Sequence, residues 1–334
     1  MVTLGLDIGT TTISTVVVEE GRVLAAETLV NDATLPGSEW ERMQEPRRIL
    51  LLAQQAIDTL LERFPQTQRI GVTGQQHGIV YLDKAGKPVS PLYTWQDQRG
   101  RQPTEDGGTY IRQLETLTGY FVPAGYGMAT HFYNLKNGLV PKEAAVLCTI
   151  QDLAAMVLAG RTVVAIDASD AASFGLFDLK QECFDLEAVQ AAGMDPAILP
   201  QLTNDPCLGT GPLGLPVYRA IGDNQASFLG ATGGQTQCML LNVGTGSQFS
   251  VHVPYYMSCD GLETRPFPTG GYLLVGAALC GGRSWALLER FFRDTVQMVT
   301  GNTPENCYQA MTQALDHAEP NTAPPAITPL FQGT

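Results

Sequence analysis

"LGLDIGTTTISTVVV", residues 4–18, reads as an apolar run, a Gly-Thr turn and a second run with strand-like alternation. "LLNVGTGSQFSVHV", residues 240–253, has the same three parts. Two copies of one phrase, so far apart in one chain, mark a duplicated domain core. In each copy glycine lets backbone N–H groups approach an anion, and threonine adds a hydroxyl donor. Two such turns facing each other across a cleft can grip one polyphosphate from both sides. A single Gly-Thr hairpin is ordinary structure; the pair, each at the first hairpin of its own domain, carries the signal.

Outward from the first copy, residues 3–8, 12–19 and 22–30 read as consecutive strands. Leu50, Ala53, Ile57, Leu60 and Leu61 fall on one face of a helix over 46–64, with Pro46 suited to its first turn. A short strand over 69–74 ends in Gly-Gln-Gln-His-Gly, and 143–159 reads as a strand followed by a helix with Asp152 near its start. This order predicts a mixed α/β layer. The Pro- and Gly-rich stretch 204–216 is the expected connection, which divides the chain into domains 1–213 and 214–334. The pattern then restarts, with strands near 217–222, 238–243, 247–253 and 272–279 and helices over 283–296 and 305–317. The second core shows one strand fewer than the first and is expected to be truncated at Thr334.

A chain of 334 residues with 44% hydrophobic and 16% charged residues is foldable and long enough for two domains. Its net charge of −13 repels phosphate backbones, which argues against nucleic acid and anionic membrane as partners. A nucleotide site in such a field needs local neutralisation by Mg²⁺ or by backbone N–H groups. No signal peptide and no membrane-spanning run of ~18 apolar residues is expected. The seven cysteines are scattered, without a C-x-x-C pair, as for reduced thiols of a cytoplasmic protein. Residues 209–214 spell G-x-G-x-x-G, but they follow no apolar strand, and Pro212 opposes a helix opening there. A P-loop, a G-x-S-x-G elbow and histidines at metal-ligand spacing are all absent.

Asp7 ends a buried strand beside the first turn, where a carboxylate either caps the turn or faces Mg²⁺ through water. Asp223, in Ile221-Gly222-Asp223-Asn224-Gln225, is its positional counterpart in the second domain. There it either caps a helix over 224–231 or takes a proton from a hydroxyl attacking phosphorus, and both roles are compatible. Gln75-Gln76-His77-Gly78 and Trp95-Gln96-Asp97-Gln98-Arg99 supply the directional donors and acceptors a polyol needs, and Trp95 adds a face for C–H groups.

With these motifs the chain resembles the FGGY family of carbohydrate kinases, within the sugar kinase, Hsp70 and actin superfamily. The resemblance rests on "GLDIGTTT" at the start, "GVTGQQHG" at 71–78, "TWQDQR" at 94–99, "IQDLAAMVLAG" at 150–160, "IDASDAASFGLFDL" at 166–179, "AIGDNQASFLGA" at 220–231 and "LNVGTGSQFS" at 241–250. Within the family, "GYGMATHFYNLKN" at 125–137 and "RPFPTGGYLLVGAALCGG" at 265–282 look most like sedoheptulokinases, with xylulokinase-like enzymes next. The resemblance implies two duplicated ribonuclease H-like α/β domains around a cleft, and ATP- and Mg²⁺-dependent phosphorylation of a terminal ketose hydroxyl, sedoheptulose first. It implies Asp223 as catalytic base and Asp7 in the Mg²⁺ region. Gly9, Thr10 and Thr11 match the first phosphate motif and Gly244 and Thr245 the second. Gln76, His77, Trp95, Asp97 and Asn224 match sugar-contacting positions. Family members continue past the final "PLFQGT", so loss of the adenosine side is an expectation here, with exposed apolar surface at that edge favouring self-association such as a homodimer. A non-catalytic actin-like sugar-binding module and a nucleotide-hydrolysing regulator are the readings from other classes.

Overall fold

The computed structural model describes residues 1–243, 247–278 and 281–317. They fall into two compact units. The first is residues 1–235 with 254–256 and 265–273; the second takes the remainder.

The first unit is built on strands β1 (Val2–Ile8), β2 (Thr12–Glu19) and β3 (Arg22–Val30), followed by α1 (Pro46–Arg63) and β4 (Ile70–Gly74). Next come α2 (Gly127–Lys136), α3 (Ile150–Leu158) and the short α4 (Ala168–Ala172). Then follow β5 (Cys207–Thr210), β6 (Pro216–Tyr218), β7 (Ile221–Gly222) and α5 (Asp223–Thr232). The sheet order is β5-β6-β4-β1-β2-β3, with β7 also paired to β4. The three opening strands are antiparallel, whereas β4 runs parallel to β1, and β6 and β7 run parallel to β4.

Alternation decides which face of the sheet is covered. Val2, Leu4, Leu6 and Ile8 of β1 are buried, as are Ile13 and Val17 of β2 and Ile70 and Val72 of β4. Against them pack Ile49, Leu52, Ala53, Ile57 and Leu60 of α1, one face at helical spacing. α1 starts where the sequence sets it: Pro46 occupies its first turn, and the Glu45 side chain accepts from Arg47 N at 3.1 Å. α3 is buried on nearly every side, and Thr149 caps it by accepting from Asp152 N. The opposite face of the sheet carries small groups at Gly5, Ser14, Ala26 and Gly71, and there a cavity of about 610 Å³ runs up to Asp7.

The stretch 204–216, read from sequence as a connection, instead supplies β5 and the start of β6, an antiparallel pair that extends the first sheet. Its Pro and Gly residues serve an edge hairpin, so the first unit runs on through α5 to Gln235. No helix opens at Gly209–Gly214, in line with setting the dinucleotide motif aside.

The second unit carries β8 (Met239–Val243) and β9 (Ser247–Val253), antiparallel from Met239↔Val251 to Val243↔Ser247. Thus both copies of the opening phrase form an antiparallel pair, although Gly244 and Thr245 lie outside the described residues. β10 (Glu263–Pro266) and β11 (Tyr272–Ala278) complete the order β8-β9-β11-β10, and α6 (Gly282–Thr300) and α7 (Tyr308–Asp316) come after them. No helix among the described residues is long and apolar enough to cross a membrane. None of the six described cysteines forms a disulfide.

Candidate active site

Three neighbouring parallel strands end level. Ile8 of β1 pairs with Gly74 of β4, and Gly74 pairs with Gly222 of β7. Each strand leads directly into residues whose chemistry the sequence anticipates: β1 into the turn Gly9-Thr10-Thr11, β4 into Gln75-Gln76-His77, and β7 into Asp223. Carboxyl ends of parallel strands are the usual place for a site, because several chain segments converge there. With strands about 4.8 Å apart, Asp223 and the first turn stand about 10 Å apart across the sheet end.

The first turn is shaped for an anion. Gly9 N donates to Thr12 O, and a Cβ on Gly9 would come within 2.9 Å of that oxygen, so glycine is required. Asn31 Nδ2 donates to Gly9 O at 2.9 Å, and Gln44 Nε2 donates to Thr10 O at 2.8 Å. In a trans peptide the C=O and the following N–H point in opposite directions. Holding the carbonyls of Gly9 and Thr10 inward therefore aims the N–H groups of Thr10 and Thr11 outward, as a backbone anion site needs. The Thr10 hydroxyl donates its one proton to Gln75 Oε1 at 3.1 Å, so the exposed hydroxyl at this turn belongs to Thr11.

Asp7 reaches solvent beside this turn, and burial of its surroundings raises its pKa above the ordinary carboxylate value. No ion pair engages it among the described residues. No group of three or more His, Cys, Asp or Glu there forms a metal cage. A lone carboxylate next to an anion turn suits Mg²⁺, which takes one or two protein carboxylates and completes its shell with phosphate oxygens and water.

Asp223 opens α5; the N-cap position itself is Gly222. The residue has solvent access, yet protein groups crowd its carboxylate, and this desolvation raises its pKa to about 6. The Arg265 guanidinium and the Asn224 N–H, 2.7 Å from Asp223 Oδ1, pull the other way, and the Asp7 charge adds to the rise. At neutral pH the group is an ionised carboxylate with raised basicity, the state a general base needs.

The other expected residues divide into surface and support. Trp95 is 45% exposed, and its Nε1 donates to Thr10 Oγ1 at 3.0 Å. His77 is half-buried at φ 72°, a conformation that a non-glycine residue adopts only when held. Its holders are a stack on Tyr126, with centroids 4.0 Å apart, and Ser173 O, 2.9 Å from Nδ1. A carbonyl only accepts, so Nδ1 carries the hydrogen and the neutral ring has its acceptor at Nε2. Asn224 is buried beside Asp223.

Gln76 and Asp97 lie deeper than a sugar-contacting position suggests. Gln76 Nε2 donates to Ser169 O at 3.0 Å and to Asp170 Oδ1 at 3.3 Å, while its Oε1 accepts from Arg265 Nη1 at 3.5 Å. A Cβ on Gly222 would strike Gln76 Nε2 at 1.9 Å, so this glycine lets the amide pass under the start of α5. Asp97 is fully buried. Its Oδ1 accepts from Arg99 N and Nε, and its Oδ2 from Arg99 Nη2 and Arg42 N. The Arg99 guanidinium lies 4.0 Å from the centre of the Tyr93 ring and donates to Asn134 Oδ1 at 2.6 Å. Asp97 thereby fixes the loop that presents Trp95.

Sequence reading passed over Arg265, Asp170, Asn31 and Gln44. Arg265 begins the quoted "RPFPTGG", and a cation in an acidic chain beside a motif was the available signal. Asp170 is fully buried among Gln76, Gln151 and Asp167, and burial, then the Asp167 charge, raises it to about 8, so it is a neutral acid at pH 7. No pattern in sequence distinguishes it from a solvated aspartate.

Comparison with known proteins shows the family and the fold. Residues 2–230 match the N-terminal domain of the FGGY family of carbohydrate kinases. The mouse sedoheptulokinase is 29% identical over 329 residues, an alignment that takes in 84% of this chain and 67% of the mouse enzyme. Among solved structures, a xylulose kinase from Rhodospirillum rubrum superposes with a TM-score of 0.79 at 22% identity, over 96% of this chain and 68% of that one. A Plasmodium falciparum glycerol kinase solved with ADP superposes with a TM-score of 0.70 at 18% identity, over 86% of this chain and 63% of that one. The chain thus spans about two thirds of the length of these relatives. The fold is that of the sugar kinases, and this chain belongs to the FGGY family of carbohydrate kinases.

Proposed function

We propose that this chain carries the acceptor-activating part of an ATP-dependent ketose kinase, with sedoheptulose as acceptor and sedoheptulose 7-phosphate as product. One observation carries the reading: Asp223, a carboxylate of raised basicity, stands level with an outward-facing N–H turn at the ends of two parallel strands that flank β4. Asp223 takes the proton of the terminal hydroxyl as its oxygen bonds to the γ-phosphorus; the bond from that phosphorus to the β,γ-bridging oxygen breaks and ADP leaves. The N–H groups of Thr10 and Thr11 hold the departing polyphosphate, and Arg265 offsets negative charge near the base. Asp7 would hold Mg²⁺, which when bound neutralises the phosphate oxygens. His77, Trp95 and Asn224 face the sugar; Gln76 and Asp97 keep that surface in place. Gly244 and Thr245 are assigned to the polyphosphate by the sequence motif. Cysteines outside disulfides, as the six described ones are, fit a cytoplasmic enzyme.

Sedoheptulose is preferred over xylulose because the similarity to the mouse sedoheptulokinase extends over most of the chain. Calorimetric titration with sedoheptulose and with D-xylulose, each without nucleotide, tests the choice. Tighter binding of sedoheptulose is the expected result. Tighter binding of D-xylulose would transfer the chain to the pentulose kinases, and binding of neither would remove the ketose reading. Formation of sugar phosphate on addition of MgATP separates a kinase from a sugar-binding module.

A further inference from the structure

Arg265 is held by the same body that carries the base. Residues 265–273, which take in the end of β10 and the start of β11, belong to the first unit. One face of α5 grips them. Gln225 Nε2 donates to Pro266 O at 3.1 Å, and Phe228, one turn on, stands edge to face on the Phe267 ring with centroids 5.6 Å apart. All four of these residues are buried. Just before β7, Arg219 Nη2 donates to Pro268 O at 3.3 Å, and Asp167 Oδ2 holds Arg219 Nε at 2.6 Å. Pro266 keeps the residue before it in extended backbone, so the direction in which Arg265 leaves the chain is fixed as well.

The guanidinium comes to the reacting end of the site. Its Nη1 donates to Gln76 Oε1 at 3.5 Å, and the Gln76 amide packs on Gly222, the residue before Asp223. Its charge favours the ionised form of Asp223. An ionised carboxylate only accepts hydrogen bonds, whereas a guanidinium only donates them, through five N–H groups in a fixed fork. A terminal hydroxyl that gives its proton to Asp223 must direct electron density from its oxygen to phosphorus. An N–H donated to that same oxygen would draw this density away. The nearest oxygen that can accept from Arg265 without this cost is the one on the adjoining carbon.

Resting on the ketose-kinase reading, we propose that Arg265 is a specificity-determining residue for the acceptor: it donates to the hydroxyl on the carbon next to the one phosphorylated, so that Asp223 and Arg265 together select a terminal 1,2-diol. Because Arg265, Gln76 and Asp223 all belong to the first unit, the contact forms with sugar alone and needs no nucleotide. Loss of a hydrogen bond with one charged partner weakens binding by about tenfold to a hundredfold.

A cycle of two sugars and two proteins tests the contact. Sedoheptulose and its 6-deoxy analogue, which keeps the terminal hydroxyl and lacks the neighbouring one, are titrated calorimetrically without nucleotide into wild type and Arg265→Met. Arg265→Lys, which keeps a charge and a donor, is the second variant. Wild type is expected to bind the parent sugar about tenfold or more tighter than the analogue. Arg265→Met is expected to bind the two alike, and Arg265→Lys to keep part of the preference. Differences between the ring forms of the two sugars in solution are the same for every protein and cancel in the comparison. A preference as large in Arg265→Met as in wild type, or no preference in wild type, overturns the contact and leaves the ketose-kinase reading standing. MgATP binding that weakens in Arg265→Met while the sugar preference stays whole overturns it as well and transfers Arg265 to the nucleotide. Binding of neither sugar to wild type removes the ketose reading and this inference with it.

Discussion

Asp223 and Asp170 are the same residue type on either side of one glutamine, and they are set to opposite charge states. Asp170 is sealed beneath Gln76, faces the Asp167 charge and holds its proton up to about pH 8. Asp223 has solvent access and the Arg265 guanidinium nearby, and it ionises near pH 6. At pH 7 one is a carboxylate able to accept a proton and the other a neutral group that anchors Gln76. The contrast teaches that solvent and one cation, not residue identity, divide the reactive surface from its support.

The largest expected effect comes from removing the reactive member. Asp223→Asn should lower phosphoryl transfer by about 10²- to 10⁴-fold, the usual share of a general base, while sugar affinity by calorimetry stays close to wild type. Turnover within a few-fold of wild type would erase the distinction between the two aspartates. Next in size is a shift rather than a loss. Phosphorylation should fall below about pH 6 as Asp223 takes up a proton. In Arg265→Met the cation that favours its ionised form is gone, so the acid limb should move upward by about one pH unit. An unmoved limb would mean that Arg265 does not sense Asp223.

The smallest effect on turnover is expected at the buried member, where the readout is stability. Folded Asp170 keeps a proton that the unfolded chain releases at the ordinary carboxylate value. The folded state therefore binds more protons between that value and about pH 8, and stability from this group falls as pH rises through the window. Asp170→Asn imitates the neutral acid, so its thermal midpoint should fall less than that of wild type between pH 5 and pH 8. Parallel pH dependence in the two proteins would show Asp170 to be ionised in the folded state.

Much of this was legible in the chain. The strands and helices flanking the first turn, and the helix after Asp223, lie within a residue or two of where periodicity puts them, because alternation and helical spacing are local properties. The positions of Asp7, Thr10 and Asp223 were legible for the same reason: each sits at or just beyond the end of a readable strand. Gln76 and Asp97 read as sugar contacts because a polar side chain after a strand has the same letters whether it faces a ligand or a protein partner. Their depth is set by Asp170, 94 positions beyond Gln76, by Arg265, 189 beyond it, and by Arg42, 55 before Asp97.

The two copies of the opening phrase draw the same line. Alternation makes a strand pair of each. In the first unit α1 and α3 cover Leu4, Leu6 and Ile8. In the second, Met239, Leu241 and Val243, spaced just as regularly, are 62%, 62% and 63% exposed. Sequence by itself determined where strands, turns and helices lie and which few residues could carry charge or phosphate. Only tertiary structure decided which apolar faces are covered and which polar groups are exposed to react, because burial and hydrogen-bond partnership arise between segments that sequence spacing does not connect.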